Sequence, residues 1–323
     1  MNRYRIVHVT EFRYDGPVSE SYNEVRLRPR QDEEQTCVSF RLETVPGSRP
    51  TSYVDAAGNW VHRFNVLAEH RRLRVVANSE VLVHVPRALP AVGASLAGLD
   101  GLADELDEYF DLLAPTVYTP HVPELRSLVD EIERQCDGTA AGFARRAVVE
   151  IRRRFRYEKG ATHVQSSIED VLGTGAGVCQ DFAHLLLAVL RMRGLPARYV
   201  SGYLAPGGVG VDGGAVEEVS GGQASHAWAE VYVPEAGWIG LDPTLGREVC
   251  PRHVRVAYGR DYGDAALVRG VYKGHAGQRL SVDVRVRPAL DSDGWEHLRE
   301  TAAGPVGEPR GEEPPQQQQQ QQQ

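Results

Sequence analysis

Cysteine is scarce in this 323-residue sequence. The four, Cys37, Cys136, Cys179 and Cys250, stand far apart and form no C-x-x-C pair. Such spacing argues against a disulfide framework or a zinc site and fits a reducing compartment. No apolar run approaches the roughly 20 residues that cross a bilayer. Residues 1–8 alternate polar and apolar side chains where a signal peptide would carry a continuous apolar core. The expectation is a cytoplasmic protein with no membrane partner. An excess of positive charge is also lacking: 36 Lys and Arg stand against 44 Asp and Glu, a formal net charge of -8. A surface that tracks nucleic-acid phosphates normally needs the opposite balance, so no nucleic-acid partner is expected.

Apolar residues make up 41% and charged residues 25% of the chain, which is ordinary for a globular protein with a sizeable core. Its first part reads as strands. Tyr4, Ile6, Val9, Phe12 and Tyr14 interleave with Arg3, Arg5, Glu11 and Arg13, with a slip near His8. Strand-like runs follow at 23–28, 37–45, 59–66 and 73–85, separated by turn residues. Residues 1–88 are therefore expected to form an all-β, sandwich-like domain. The Pro-, Ala- and Gly-rich stretch from Pro86 to Gly101 and a short acidic helix at 102–113 make residues 89–118 a linker. Residues 119–288 are expected to form the second unit, its last strand-like runs, 267–272 and 280–286, extending its sheet. Residues 289–323, proline-rich and ending in the glutamines 316–323, cannot bury enough apolar surface to order themselves.

Two amphipathic helices open the second unit, at 122–136 and 143–155. The arginines of the latter, Arg145, Arg146, Arg152, Arg153 and Arg154, read as a charged helix surface among acidic neighbours. A third begins at Cys179, just after Gly177. Phe182, Leu185, Leu186, Val189 and Leu190 give it one buried face, and Gly194 and Pro196 end it. Cys179 is thus placed in a first turn, where free backbone N–H groups and the macrodipole favour a thiolate. By itself this stretch equally suits a small apolar core residue. A strand at 197–204 and a glycine-rich stretch at 205–224 come next. The latter lacks the G-x-x-x-x-G-K-[ST] pattern of a phosphate loop and reads as a loop at the rim of a site.

A hairpin then supplies what a core cysteine would not require. His226, Trp228, Glu230 and Tyr232 share one face of a strand, Ala227, Ala229, Val231 and Val233 the other, and residues 238–242 return antiparallel to it. Asp242 comes back beside the first strand, a few residues out of register with His226. Thiol, imidazole and carboxylate are the three parts of an activated nucleophile, with Cys179 N–H as one oxyanion donor. Tyr157 and Gln165 are candidates for a second donor. Trp228 packs on the hairpin or walls the cleft. A metal held by Cys179, His184 and His226 is disfavoured, because residues five apart on a helix face different ways; no metal or cofactor is expected.

Four segments, Gly177–His184, Gly194–Tyr203, Ser225–Tyr232 and Gly237–Thr244, together resemble the bacterial transglutaminase-like proteins, and the match spans roughly residues 140–246. The first 88 residues resemble the β domain that precedes the core in those proteins. The resemblance implies an α+β protein with a papain-like core, in which a cysteine at a helix N-terminus packs on an antiparallel sheet and Cys179, His226 and Asp242 take the triad positions. Residues 257–264 resemble a further shared segment, in which Asp261 and Tyr262 either line the cleft or make a structural turn. The activity implied is acyl transfer through a thioester on amide bonds of a protein or peptide substrate, ending in crosslinking, deamidation or hydrolysis. A cysteine protease or amidase, or a non-catalytic binding protein of the same fold, are the alternatives. No acid cluster of the EF-hand kind is present to support calcium dependence.

Overall fold

A computed structural model describes residues 1–102, 108–162, 166–206, 225–234 and 236–289. Gln165, His163, the 207–224 part of the glycine-rich stretch and the glutamine tail lie outside the described residues. Five strands come first: β1 (Asn2–Val25), β2 (Gln35–Val45), β3 (Thr51–Val54), β4 (Trp60–Val66) and β5 (His70–Val83). The sequence pattern breaks at Gly16-Pro17, yet the chain stays extended there. Register shifts between Arg13 and Val18 and between Ser19 and Tyr22 bend β1. Its first half pairs with β5 and its second half with β4, so two sheet halves share one long strand. Phe12, Tyr14 and Leu73 from one half meet Val25, Phe64 and Val66 from the other in a common core.

After a 3-10 turn (Leu96–Leu102) and a single turn α1 (Phe110–Leu113) come α2 (Pro123–Gln135) and α3 (Ala140–Arg154). Thr139 starts α3, its hydroxyl accepting from Gly142 N–H at 2.9 Å. Three of the α3 arginines are occupied locally: the buried Glu150 carboxylate receives Arg146, Arg153 and Arg154. Strand β6 (Arg156–Tyr157), helix α4 (Ile168–Thr174) and strand β7 (Ala176–Gly177) lead into α5 (Cys179–Met192). Then follow β8 (Ala197–Leu204), β9 (Ser225–Val233), β10 (Gly237–Asp242), β11 (Arg247–Glu248) and β12 (His253–Gly259). These five form an antiparallel sheet in the order β11-β10-β9-β8-β12. Helix α5 is buried between it and α2 and α3, and Leu185, Leu186, Val189 and Leu190 are fully covered, as the helical period requires.

A one-turn helix α6 (Tyr262–Ala265) precedes β13 (Val268–Lys273) and β14 (Gln278–Pro288). These last two strands correct an expectation. They do not extend the sheet of the second unit, but return to the first and pair with the two halves of β1. Alternation encodes which face of a strand is buried and leaves its partner unspecified; here β1 has a free edge on each half, and β13 and β14 cover both. The two units are fastened in other ways as well. Tyr4, Ile6, Val81 and Val83 pack against Tyr203, Val254 and Val256. The outer edge of β12 is covered by polar side chains of the first unit, with Gln35 bonded to Arg255 N and O and Asn59 to Tyr258 N and O, each at 2.7–2.8 Å. Among the described residues no helix is long and apolar enough to cross a membrane.

Candidate active site

Cys179 is the first residue of α5. Val178 N–H, just before it, donates to the Asp181 carboxylate at 2.8 Å. Gly177 leaves room for that carboxylate, since a Cβ there would stand 2.9 Å from Asp181 Oδ2. The half-buried thiol faces a narrow cleft of 60 Å³ that Tyr199, Ser201, His226, Tyr262 and Leu267 also line.

His226 enters this cleft from the start of β9. Extending the β9–β10 register places Asp242 opposite Trp228, two residues from His226 on the same face of the ribbon. Strand twist closes that diagonal, and His226 Nε2 meets Asp242 Oδ2 at 2.8 Å with both side chains buried. Nε2 is thereby committed to the carboxylate, which leaves Nδ1 as the nitrogen available to the thiol. Burial by itself would lower the proton affinity of His226. The Asp242 charge and hydrogen bond, reinforced by a hydrogen bond with Cys179, override it and push the imidazole pKa up to about 10.

Asp242 is fully buried and fully bonded. Oδ1 accepts from Thr244 N–H at 2.9 Å and Leu245 N–H at 3.1 Å, while Oδ2 accepts from His226 and, at 3.0 Å, from His253 Nε2. Burial opposes its charge, but His226 and His253 hold its pKa well below the usual carboxylate range. One donor atom each from His226, Asp242 and His253 falls within a 4.8 Å group, compact enough for a cation. In the arrangement described, hydrogen bonds already satisfy the carboxylate.

Residues 126–243 match the family model of the transglutaminase-like superfamily, and residues 4–82 match that of the bacterial transglutaminase-like N-terminal region. An uncharacterized protein of Mycobacterium leprae is 38% identical over 287 residues, covering 88% of this chain and 99% of that protein. The chain belongs to the bacterial transglutaminase-like family. A protein-glutamine gamma-glutamyltransferase of Pseudomonas aeruginosa is 32% identical over 139 residues, 41% of this chain and 19% of that one. The crystal structure of a "Putative Cysteine Protease" from Cytophaga hutchinsonii superposes with a TM-score of 0.67 at 22% identity, covering 91% of this chain and 92% of that one. That likeness shows the α+β fold, a β-rich region followed by a papain-like core. The family and this fold place the chain among enzymes of the cysteine-dependent kind.

The other expected site residues divide. Tyr262 lines the cleft, and its backbone N–H donates to His184 Nε2 at 3.2 Å. Its neighbour Asp261 does not line the cleft; it caps α6 by accepting from Asp264 N–H. Tyr157 sits on β6 edge-on to Phe182, also outside the cleft lining. Trp228 is buried beneath His226, 6.1 Å between ring centroids, and supports the ring from below without walling the cleft. His184 stacks between Tyr118 and Tyr199, and burial pushes its pKa down to about 3, so it is a neutral structural ring. His253 was not singled out by any motif. It lies after a turn, in Cys250-Pro251-Arg252-His253, with no local pattern to mark it.

Proposed function

We propose that the protein is a cysteine-dependent acyl-transfer enzyme in which Cys179, His226 and Asp242 act as a triad on amide groups of a protein or peptide. The observation that carries this reading is His226: one imidazole shares the cleft with Cys179 and is bonded through Nε2 to a buried, saturated carboxylate. The imidazolium stabilises a thiolate beside it. Sulfur attacks the amide carbonyl carbon, and the oxyanion that develops meets Cys179 N–H at the start of α5. His226 passes its proton to the departing amine or ammonia, and the thioester remains. An incoming amine or water then loses a proton to His226 as it attacks the thioester, and the thiolate leaves. Asp242 keeps the ring oriented and its cation stabilised throughout.

The small volume of the cleft favours the planar end of a glutamine side chain or an extended peptide as acyl donor. Incubation with a casein-like protein, with and without a primary amine, separates the outcomes: crosslinks or amine incorporation for transfer, ammonia release for deamidation, shorter chains for peptide hydrolysis. Cys179→Ala is expected to abolish whichever is seen. Product formation undiminished in that variant would remove the proposal.

A further inference from the structure

The hairpin motif supplies one histidine to Asp242, and the fold brings a second from a different strand. His253, at the start of β12, is buried and sends Nε2 to the same Oδ2 that His226 uses, at 3.0 Å against 2.8 Å. Its Nδ1 lies 3.1 Å from Cys250 N and 3.2 Å from Cys250 O. Its ring stands edge-on to Trp228 at 5.2 Å, the same indole that underlies His226. We propose that His253 is a positioning residue for the triad: it locks the Asp242 carboxylate so that Oδ2 stays aimed at His226 and the His226 ring stays turned toward Cys179. This rests on the triad reading above.

The local hydrogen bonds dictate the role. A neutral His253 that accepts from Cys250 N–H at Nδ1 must carry its proton on Nε2, and that proton faces Asp242. Thr244 and Leu245 reach Oδ1, so among the described residues the other oxygen, without His253, would be held only by His226, the ring whose proton is exchanged during catalysis. His253 gives Oδ2 an anchor that does not take part in the proton transfer. Once doubly protonated, His253 can turn Nδ1–H on Cys250 O, and the carboxylate then serves two cations. Among the described residues the titratable groups facing His253 are Asp242, Cys250, whose thiol lies 3.6 Å from Nδ1, and His226, 6.1 Å away between ring centroids. Strand β12 is itself set by Gln35 and Asn59 of the first unit. The β-rich region thus has a part in building the site, by fixing the strand that carries His253.

The test is the pH profile of Cys179 alkylation by iodoacetamide, read by mass spectrometry of the Cys179 peptide in His253→Ala, His253→Asn and His253→Gln, with thermal melts to confirm folding. Gln reaches far enough to keep a donor on Asp242, whereas Asn and Ala do not. Ala and Asn are expected to slow alkylation near pH 6 about tenfold, the scale of one hydrogen bond to a charged group, while Gln stays within about twofold of the wild type. Should Ala fail to fold, the Asn and Gln contrast gives the same reading. All variants superposing on a wild type that stays reactive near pH 6 would overturn the positioning role alone. A wild type with the profile of an isolated thiol would remove the triad reading, and this inference with it.

Discussion

Replacing Asp242 by Asn tests the electrostatics at the point where they are strongest. The side chain keeps its shape, so the bonds from Thr244 and Leu245 can survive on the amide oxygen. The –NH₂ group then takes the place of Oδ2 and meets two imidazole N–H donors, those of His226 and His253. Each ring must move its proton to the other nitrogen or give up the contact. For His226 this puts Nδ1–H toward the thiol, the wrong tautomer for a base. The carboxylate charge that held its pKa at about 10 is also gone, and burial now works unopposed to lower it. Without an imidazolium beside it the thiol loses the ion pair that favours its thiolate and should react as an isolated one. Allowing for the greater nucleophilicity of a more basic thiolate, Cys179 alkylation near pH 6 should fall about tenfold or more. The gap should close as pH rises through about 9. Breaking a buried charge pair should also cost about 3–5 kcal/mol of stability. Iodoacetamide kinetics from about pH 5 to 9, with urea melts alongside, measure both. Parallel wild-type and variant profiles would refute the reasoning.

Other outcomes follow from the same geometry. Gly202→Ala would drive a Cβ to 2.2 Å from Val254 O and 2.5 Å from the Trp228 ring; a loss of about 1–3 kcal/mol is expected, and an unchanged urea midpoint would contradict it. Buried Glu230 is pulled below its ordinary pKa, against burial, by Arg198, which grips it at 2.6–2.8 Å. Its stabilisation is present above its unfolded value and is lost as pH falls, so the stability gap between wild type and Glu230→Gln should shrink below about pH 4.5, and a constant gap would count against the pairing. Burial pushes His8 and His184 down to about 3. Between that value and the ordinary 6.5 the unfolded chain binds protons that the folded one does not, so stability should fall as pH drops below about 6.5. His8→Gln should flatten part of that slope; the same slope in both proteins would show that His8 does not cause it.

How far the sequence could be read depended on how local each signal was. The α5 stripe and the β9 alternation are properties of contiguous residues, and a helix and a strand form there, although both are buried on more than the one face those patterns mark. His226 and Asp242 were legible because one short hairpin joins them, although only strand twist fixes how the diagonal closes. Strand β14 carried an equally clear pattern, but nothing in it says that its partner lies more than 250 residues back on β1. The continuity of β1 was hidden because the alternation stops at Tyr14, just before Gly16-Pro17, where the chain bends and stays extended. His253 was invisible for the same reason as β14: its value comes from a strand pairing that sets β12 beside β8 and aims one ring at a carboxylate eleven residues earlier.

The central claim concerns one thiol among four that are all partly exposed, so accessibility alone does not rank them. Burial raises the Cys37 pKa, and His253, against burial, lowers that of Cys250. Mass-spectrometric rates of iodoacetamide labelling at about pH 6, in the wild type and in His226→Ala, test the claim most directly. Cys179 should label first, ahead of Cys250, and should lose that lead when His226 is removed. Equal labelling of the four thiols, or a Cys179 rate indifferent to His226, would contradict it.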